Sequence, residues 1–170
     1  MVMQKTDKDR RGGPGRRGSS RRDRADDDFD QRIVELSRVT RVMAGGKRMR
    51  FRALVVVGDH KGKVGAGLAK GADVSLAISK ATTKAKREIL TVPLRGDTLP
   101  HEMTVKYKSA KVLLRPAKTG TGIIAGGPVR IVLELAGVPN VVSKILGSSN
   151  KVNNVRAVLS AFKGMKIVKK

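Results

Sequence analysis

Arg48-Met49-Arg50-Phe51-Arg52-Ala53-Leu54-Val55-Val56-Val57 begins as an alternation of cations with apolar residues and ends as an unbroken apolar run. Side chains along a strand alternate with period two, so Met49, Phe51, Ala53, Val55 and Val57 share one face and Arg48, Arg50 and Arg52 occupy the other. Just before it, Val39-Thr40-Arg41-Val42-Met43 reads as a second strand, joined through Ala44-Gly45-Gly46-Lys47. Gly-Gly suits a tight hairpin that needs positive φ. A third strand, Lys63-Val64-Gly65-Ala66-Gly67-Leu68-Ala69, follows the turn at Gly58-Asp59-His60-Lys61-Gly62. Gly65 and Gly67 leave one of its faces bare, so a neighbouring element is expected to pack closely there.

After Gly71 the apolar period lengthens. Val74, Ala77, Ile78, Ala81, Ala85 and Ile89 recur at helical spacing, with Asp73 placed to open the helix as cap or first-turn anion. Lys80, Lys84 and Arg87 fall on the opposite side as one cationic row. Alone, such a row is a solvated helix face; beside an arginine-faced hairpin it favours phosphate contact. The unit reads strand, strand, strand, helix: a small antiparallel sheet carrying one helix.

Two prolines, Pro93 and Pro100, bracket Arg95-Gly96-Asp97 and mark a boundary. Beyond it Met103, Val105 and Tyr107 alternate with Thr104, Lys106 and Lys108, and Lys111-Val112-Leu113-Leu114-Arg115 completes a hairpin. Pro128 opens a short helix that Gly137 and Pro139 stop. Val141 to Leu146 is a short strand, and Val152, Val155, Leu159 and Phe162 define a last helix ending near Gly164. The expected architecture is α+β in two small domains. A three-stranded antiparallel sheet with one helix occupies 30–92, and an α/β domain of ββαβα order occupies 101–164, with a linker at 93–100. Residues 1–29, rich in Arg and Gly, lack an aliphatic pattern and are expected to be a disordered basic tail, either dispensable or ordering on RNA. Residues 165–170 form a basic C-terminal tail.

Composition narrows function before any motif does. The 170 residues carry 37 Lys and Arg against 14 Asp and Glu, a net charge of +23 and a pI near 11.3. Between Arg38 and Lys70 nine cations face a single acid, Asp59. Self-repulsion on that scale destabilises a compact chain unless a polyanion neutralises it, and cations on a nucleic-acid backbone gain affinity by releasing counterions. Three Phe and one Tyr leave little for stacking on single-stranded bases, which favours paired or folded nucleic acid. Cysteine is absent, which removes disulfides, thiolate metal sites and thiol catalysis. No run approaches the about 18 apolar residues of a membrane span, and the N-terminus lacks a signal-peptide core, so a cytoplasmic protein is expected.

Gly120-Thr121-Gly122-Ile123-Ile124-Ala125-Gly126-Gly127-Pro128 invites an enzymatic reading because its first six residues satisfy GxGxxA ahead of a helix. A dinucleotide site also needs an acid about 20 residues on, and Asn140 stands there. No Gly-Lys-Ser or Gly-Lys-Thr exists to make a P-loop. The loop is left as a close backbone approach feeding a helix N-terminus, suited to an RNA phosphate or a neighbouring protein's carboxylate. His60 and His101 are the only histidines, in turn-like contexts without an acid–nucleophile set, and the acids beyond residue 28 form no pair for general acid–base work. No catalytic residue, metal site, cofactor or small-molecule substrate is expected: the chain reads as a binder. A small kinase and a basic membrane-surface protein are the weaker competitors.

Two long motifs carry a family likeness. Gly45-Gly46-Lys47-Arg48, Phe51, Ala53 to Asp59 and Gly62-Lys63-Val64-Gly65, continued by Lys80-Ala81 and Lys84-Ala85, resemble the N-terminal half of the bacterial-type small-subunit ribosomal protein five family. Gly120 to Gly127, Val132 to Val138, and Lys144 with Gly147-Ser148-Ser149-Asn150 resemble its C-terminal half. The resemblance implies a double-stranded-RNA-binding-like first domain followed by an α/β domain, in a structural component of the small ribosomal subunit that binds 16S rRNA, contacts small-subunit proteins four and eight, supports assembly and decoding accuracy, and lines the channel by which mRNA enters. By position, it implies that the hairpin tip from Val42 to Arg48 reaches rRNA near the head–neck hinge, beside the spectinomycin pocket, and that Val105 and Lys111 face protein four. The expected rRNA contacts are Arg41, Gly45, Gly46, Lys47, Arg48, Arg50 and Arg52, with Lys61, Lys63, Lys80 and Lys84; Gly120, Gly122, Gly126 and Gly127 mark the glycine loop. The alternative is a free-standing double-stranded-RNA-binding chaperone.

Overall fold

The computed structural model describes residues 29–166; the Arg/Gly-rich segment at 1–28 and the basic residues 167–170 lie outside them. Three long antiparallel strands, β1 (Asp30–Met43), β2 (Gly46–Gly58) and β3 (Lys63–Gly71), lie side by side in that order. A two-residue strand, β4 (Leu90–Thr91), pairs with Lys63 and Val64 on the outer edge of β3. Pairing of β1 with β2 runs from Met43↔Gly46 at the tip to Asp30↔Gly58 at the root, with one irregularity between Ile33 and Glu35. Thus β1 starts well before the Val39 expected from its apolar alternation.

Helix α1 (Val74–Arg87) lies on one face of this sheet, where its buried Ala77, Ala81 and Ala85 meet Ala53, Val55 and Val57. The bare glycines of β3 receive it. A Cβ on Gly65 would strike the Ala85 carbonyl, one on Gly67 the Ala81 carbonyl, and one on Gly71 would lie 2.5 Å from the Ala77 amide nitrogen. Small residues on both partners bring helix and strand backbones into contact, as the sequence required.

The opposite face of β2 belongs to a different core. Leu54 and Val56, with Val64 of β3, join a larger cluster built mainly by the C-terminal elements. These are β5 (Met103–Tyr107), β6 (Ala110–Pro116), β7 (Ile123–Ile124), helix α2 (Gly127–Ala136), β8 (Val141–Ile145) and helix α3 (Lys151–Gly164). The second sheet has the order β5-β6-β8-β7, with only β7 parallel to its neighbour. Its Ala110, Val112, Leu114 and Val141 are buried with Val129, Val132, Leu133, Val155, Val158 and Phe162 of the two helices. Each fully buried valine or leucine contributes about 2 kcal/mol from apolar area alone, so β2, buried on both sides, is the strand that both layers share.

A hydrogen-bonded seam joins the layers. The β2–β3 turn supplies amides to the last carbonyls of α2: His60 to Leu135 at 3.0 Å and Gly62 to Ala136 at 3.0 Å. Helix ends leave such carbonyls without intrahelical partners; here another part of the chain satisfies them. Gly137 ends the helix at φ 74° with the Val138 amide returning to the Leu133 carbonyl, a left-handed cap for which glycine is suited. A Cβ on Gly137 would collide with the His60 carbonyl, and one on Gly58 with that of Leu135.

The stretch expected to be a linker is tied into this body. Arg95 to Thr98 closes a tight turn, Thr98 bridges to Asn140, and Leu99 is buried in the main core with Val92. Apolar residues between the prolines override the breaker signal. Met165, assigned from sequence to the basic tail, is likewise buried at 5% exposure.

Candidate nucleic-acid interface

Beyond Phe51 the β1–β2 hairpin leaves the body of the protein. Every residue from Arg41 to Arg50 is exposed, on both faces, so this length is a free two-stranded ribbon. Cross-strand register decides what each face displays. Arg48 stands opposite Arg41, Arg50 opposite Val39 and Arg52 opposite Ser37, while on the other side Arg52 pairs with Lys70 of β3. A shallow cleft on this face is lined by Val39, Arg41, Arg48, Arg50 and Lys70. Like charges directly opposite each other destabilise a sheet. Among the described residues only Arg52 finds a carboxylate here, Glu35 at 3.5 Å. Protein stability does not select this row; a bound polyanion would.

The ribbon's second face is different. Lys47 stands opposite Val42, Met49 opposite Thr40 and Phe51 opposite Arg38. Val42 is 71% and Met49 50% exposed, so apolar and cationic groups alternate at the tip. Gly46 holds φ 144°, and a Cβ on Gly45 or Gly46 would meet nothing within 4 Å. Gly46 therefore serves the turn geometry, and both glycines leave the tip narrow.

The remaining expected contacts do not join this row. Lys61 and Lys63 sit at the root of the hairpin, about 33 Å from Arg48 by strand rise. Their amides donate to Asp59 Oδ1 at 2.8 and 2.9 Å, which shapes the turn that caps α2. Lys80 and Lys84 lie with Arg87 along an exposed flank of α1. The cations thus form separate ribbon, helix and turn groups. Lys70 was missed by the sequence reading of contacts; carrying the β2–β3 register outward to Arg52 would have found it.

In the second sheet, cross-strand pairing separates the two residues expected to face a protein neighbour. Val105 pairs with Val112 and packs against the core, whereas Lys111 pairs with Lys106 and is exposed. Adjacent strand residues point to opposite faces, so Lys111 belongs with Lys106 and Lys144 on the sheet's open side.

The glycine loop folds on itself rather than around a ligand. Asn140, 5% exposed, accepts from the Gly120 and Gly122 amides through Oδ1 at 3.0 and 3.1 Å. Thr98 Oγ1 donates to the Asn140 carbonyl at 2.9 Å and accepts from the Ala117 amide at 3.1 Å. The asparagine that stood in place of a ribose-binding acid is the internal receiver of the loop's donors. Gly126 permits close approach, since a Cβ there would lie 2.9 Å from Ile145 Cδ1, while one on Gly127 would meet nothing. Gly120 and Gly122 hold φ 89° and 73°.

His60 is an exposed turn residue whose ring has a structural partner: Nδ1 lies 2.8 Å from the Glu134 carbonyl oxygen, and Nε2 is 3.5 Å from Asp30. Glu134 in turn pairs with Arg32 and Arg130, at 2.6 and 2.8 Å. Among the described residues, no group of three or more His, Asp or Glu is placed to hold a metal ion, and no helix is long and apolar enough to cross a membrane.

Comparison with known proteins agrees with this two-part organisation. Residues 29–93 match the family model described as "Ribosomal protein S5, N-terminal domain", and residues 105–170 match "Ribosomal protein S5, C-terminal domain". The chain is 46% identical over 140 residues to "Small ribosomal subunit protein uS5c" of Emiliania huxleyi, covering 82% of this chain and 88% of that protein. It is 50% identical over 136 residues to "Small ribosomal subunit protein uS5" of Treponema pallidum (strain Nichols), covering 80% and 79%. It is also 50% identical over 148 residues to the spinach (Spinacia oleracea) protein of the former name, covering 86% of this chain; this match spans about half, 48%, of that longer relative.

Proposed function

The chain belongs to the ribosomal protein S5 family, structural and non-enzymatic components of the small ribosomal subunit, and from that premise we propose that it anchors in the subunit by laying its hairpin ribbon on 16S rRNA. The observation that carries this reading is the cross-strand row of Arg41, Arg48, Arg50 and Lys70, whose mutual repulsion no carboxylate relieves among the described residues. Phosphates relieve it, and the counterions they release supply the affinity. The exposed Val42 and Met49 give the same tip apolar area to bury in a folded RNA.

In this reading the ribbon and the flank of α1 are rRNA-binding surfaces that support subunit assembly. The open face of the second sheet, with Lys106, Lys111 and Lys144, meets neighbouring small-subunit proteins. Proteins four and eight are the proposed neighbours, and through the first of them the chain contributes to decoding accuracy and to the channel by which mRNA enters.

Sedimentation of a cell lysate at low magnesium tests the premise. The chain is expected to travel with the dissociated small subunit and to stay there through moderate salt. A peak confined to the top of the gradient would overturn the ribosomal reading in favour of a free-standing RNA-binding chaperone.

A further inference from the structure

Where the ribbon meets the C-terminal layer, a second cationic cleft opens. Arg52 and Glu35 reach it from the hairpin, and Lys108, Ser149, Lys151 and Arg156 from the other side. We propose that this cleft is a phosphate site that takes one turn of the RNA backbone as it leaves the arginine face of the ribbon and crosses onto the C-terminal layer. The proposal rests on the rRNA-binding reading above and adds a site to it.

Charge is the first ground. Four cations line the cleft with one carboxylate, and that carboxylate, Glu35, is already engaged by Arg52. Lys151 is the first residue of α3, whose first turn contains no acid. The helix dipole disfavours a cation at that end by a few tenths of a kcal/mol or more, so local stability does not account for it. The first-turn amides of Val152 and Asn153 already donate to Asn150 Oδ1, at 3.0 and 3.3 Å. Recognition therefore falls to the side chains.

Rigidity is the second. Lys108 occupies the left-handed region, φ 51°, in the two-residue turn between β5 and β6, a conformation that costs a non-glycine residue about 1 kcal/mol. The loop before α3 is fastened to that turn. The Ser148 amide donates to the Ser109 carbonyl at 3.1 Å, and a Cβ on Gly147 would lie 2.5 Å from the same oxygen. Ser148 Oγ accepts from the Asn150 amide at 3.2 Å, and its carbonyl accepts from Asn154 Nδ2 at 3.1 Å. Arg156 donates to the Tyr107 hydroxyl at 3.2 Å, its guanidinium 6.0 Å from the ring centroid. Lys108, Lys151 and Arg156 are thus set on one fixed frame before any ligand arrives, which lowers the ordering cost of binding.

Continuity identifies the ligand as RNA backbone. Arg52 is the last member of the Arg48, Arg50, Arg52 face of β2 and also a wall of the cleft. The two cationic surfaces therefore form one track.

The test is the affinity of the full chain for a 16S rRNA transcript as a function of salt, compared with Lys108→Gln/Lys151→Gln. Each lost phosphate contact removes about 0.9 from the slope of log affinity against log salt, so the double variant is expected to be shallower by about two. Its melting temperature is expected to be unchanged or higher, because two repelling charges are gone. Wild-type slope in the variant would overturn the cleft while leaving the rRNA reading intact; absence of salt-dependent binding by the wild-type chain would overturn both. A lower slope with a melting point reduced by more than about 5 °C would assign the lysines to holding the fold. Saturable binding of inorganic phosphate, lost in the variant while its RNA slope stays at the wild-type value, would make the cleft a free-anion site.

Discussion

Gly65, Gly67 and Gly71 work by having nothing beyond Cα. Each faces backbone of α1 across a distance no Cβ fits, and the alanines of the helix complete a contact made of small groups. Overpacking of this kind typically costs 1–3 kcal/mol, about the upper end where the obstacle is backbone. Gly67→Ala is expected to lower the unfolding free energy by about 3 kcal/mol, read as a reduced urea midpoint with unchanged m-value. Gly45→Ala, open on all sides, is the control. Gly71 was read only as the point where the apolar period lengthens, whereas Gly65 and Gly67 were legible in the sequence because they leave one face of the strand bare. Asn140 was not: it registered only as a missing acid, since its hydrogen bonds to Gly120 and Gly122 depend on how β7 and β8 come together. Val105 and Lys111 show the same gap, for their separation onto opposite faces follows from register.

At the scale of elements, the hairpin is one strand pair with two environments. Its root is sandwiched between two cores and its distal part is bare. A two-stranded ribbon without a packed face is marginal in water, so the tip contributes little to stability and most to contact. Replacing residues 41–48 by Asn-Gly, which joins the cross-strand partners Thr40 and Met49 through a two-residue turn, is expected to move the melting temperature by less than about 4 °C. The same change removes Arg41, Lys47 and Arg48 and should lower the salt slope for rRNA by about three. A large drop in melting temperature would mean that the tip is structural. The strand β2 and the three helices of the described residues were readable from periodicity. The first half of β1 was not, because an edge strand is held by backbone pairing and Asp30-Gln31-Arg32 carries no apolar signal. β4 and β7, two residues each, exist only through their partners.

For the whole molecule, the two sequence-defined units share more than a connecting segment. Leu54, Val56 and Val64 of the first sheet are part of the larger core, and the carbonyls that end α2 are satisfied by the β2–β3 turn. The intact chain is expected to unfold in one transition. Residues 93–170 alone, lacking those three side chains and those two donors, should give no cooperative melt by far-ultraviolet circular dichroism. A sharp transition near that of the full chain would show the C-terminal layer to be self-sufficient. Periodicity correctly indicated two α+β units; the prolines between them concealed how firmly Leu99 and Thr98 fasten the crossing.

That closure of α2 has a bearing on how the chain is made. Translation delivers the first sheet well before the helix that its turn will complete, so the apolar flank formed by Leu54, Val56 and Val64 waits uncovered while the next seventy or so residues are still being added. Apolar surface left uncovered in this way during synthesis is prone to aggregation. Its hazard is greatest in a cell that stalls within the C-terminal half of the message, and it ends only when α2 emerges and docks.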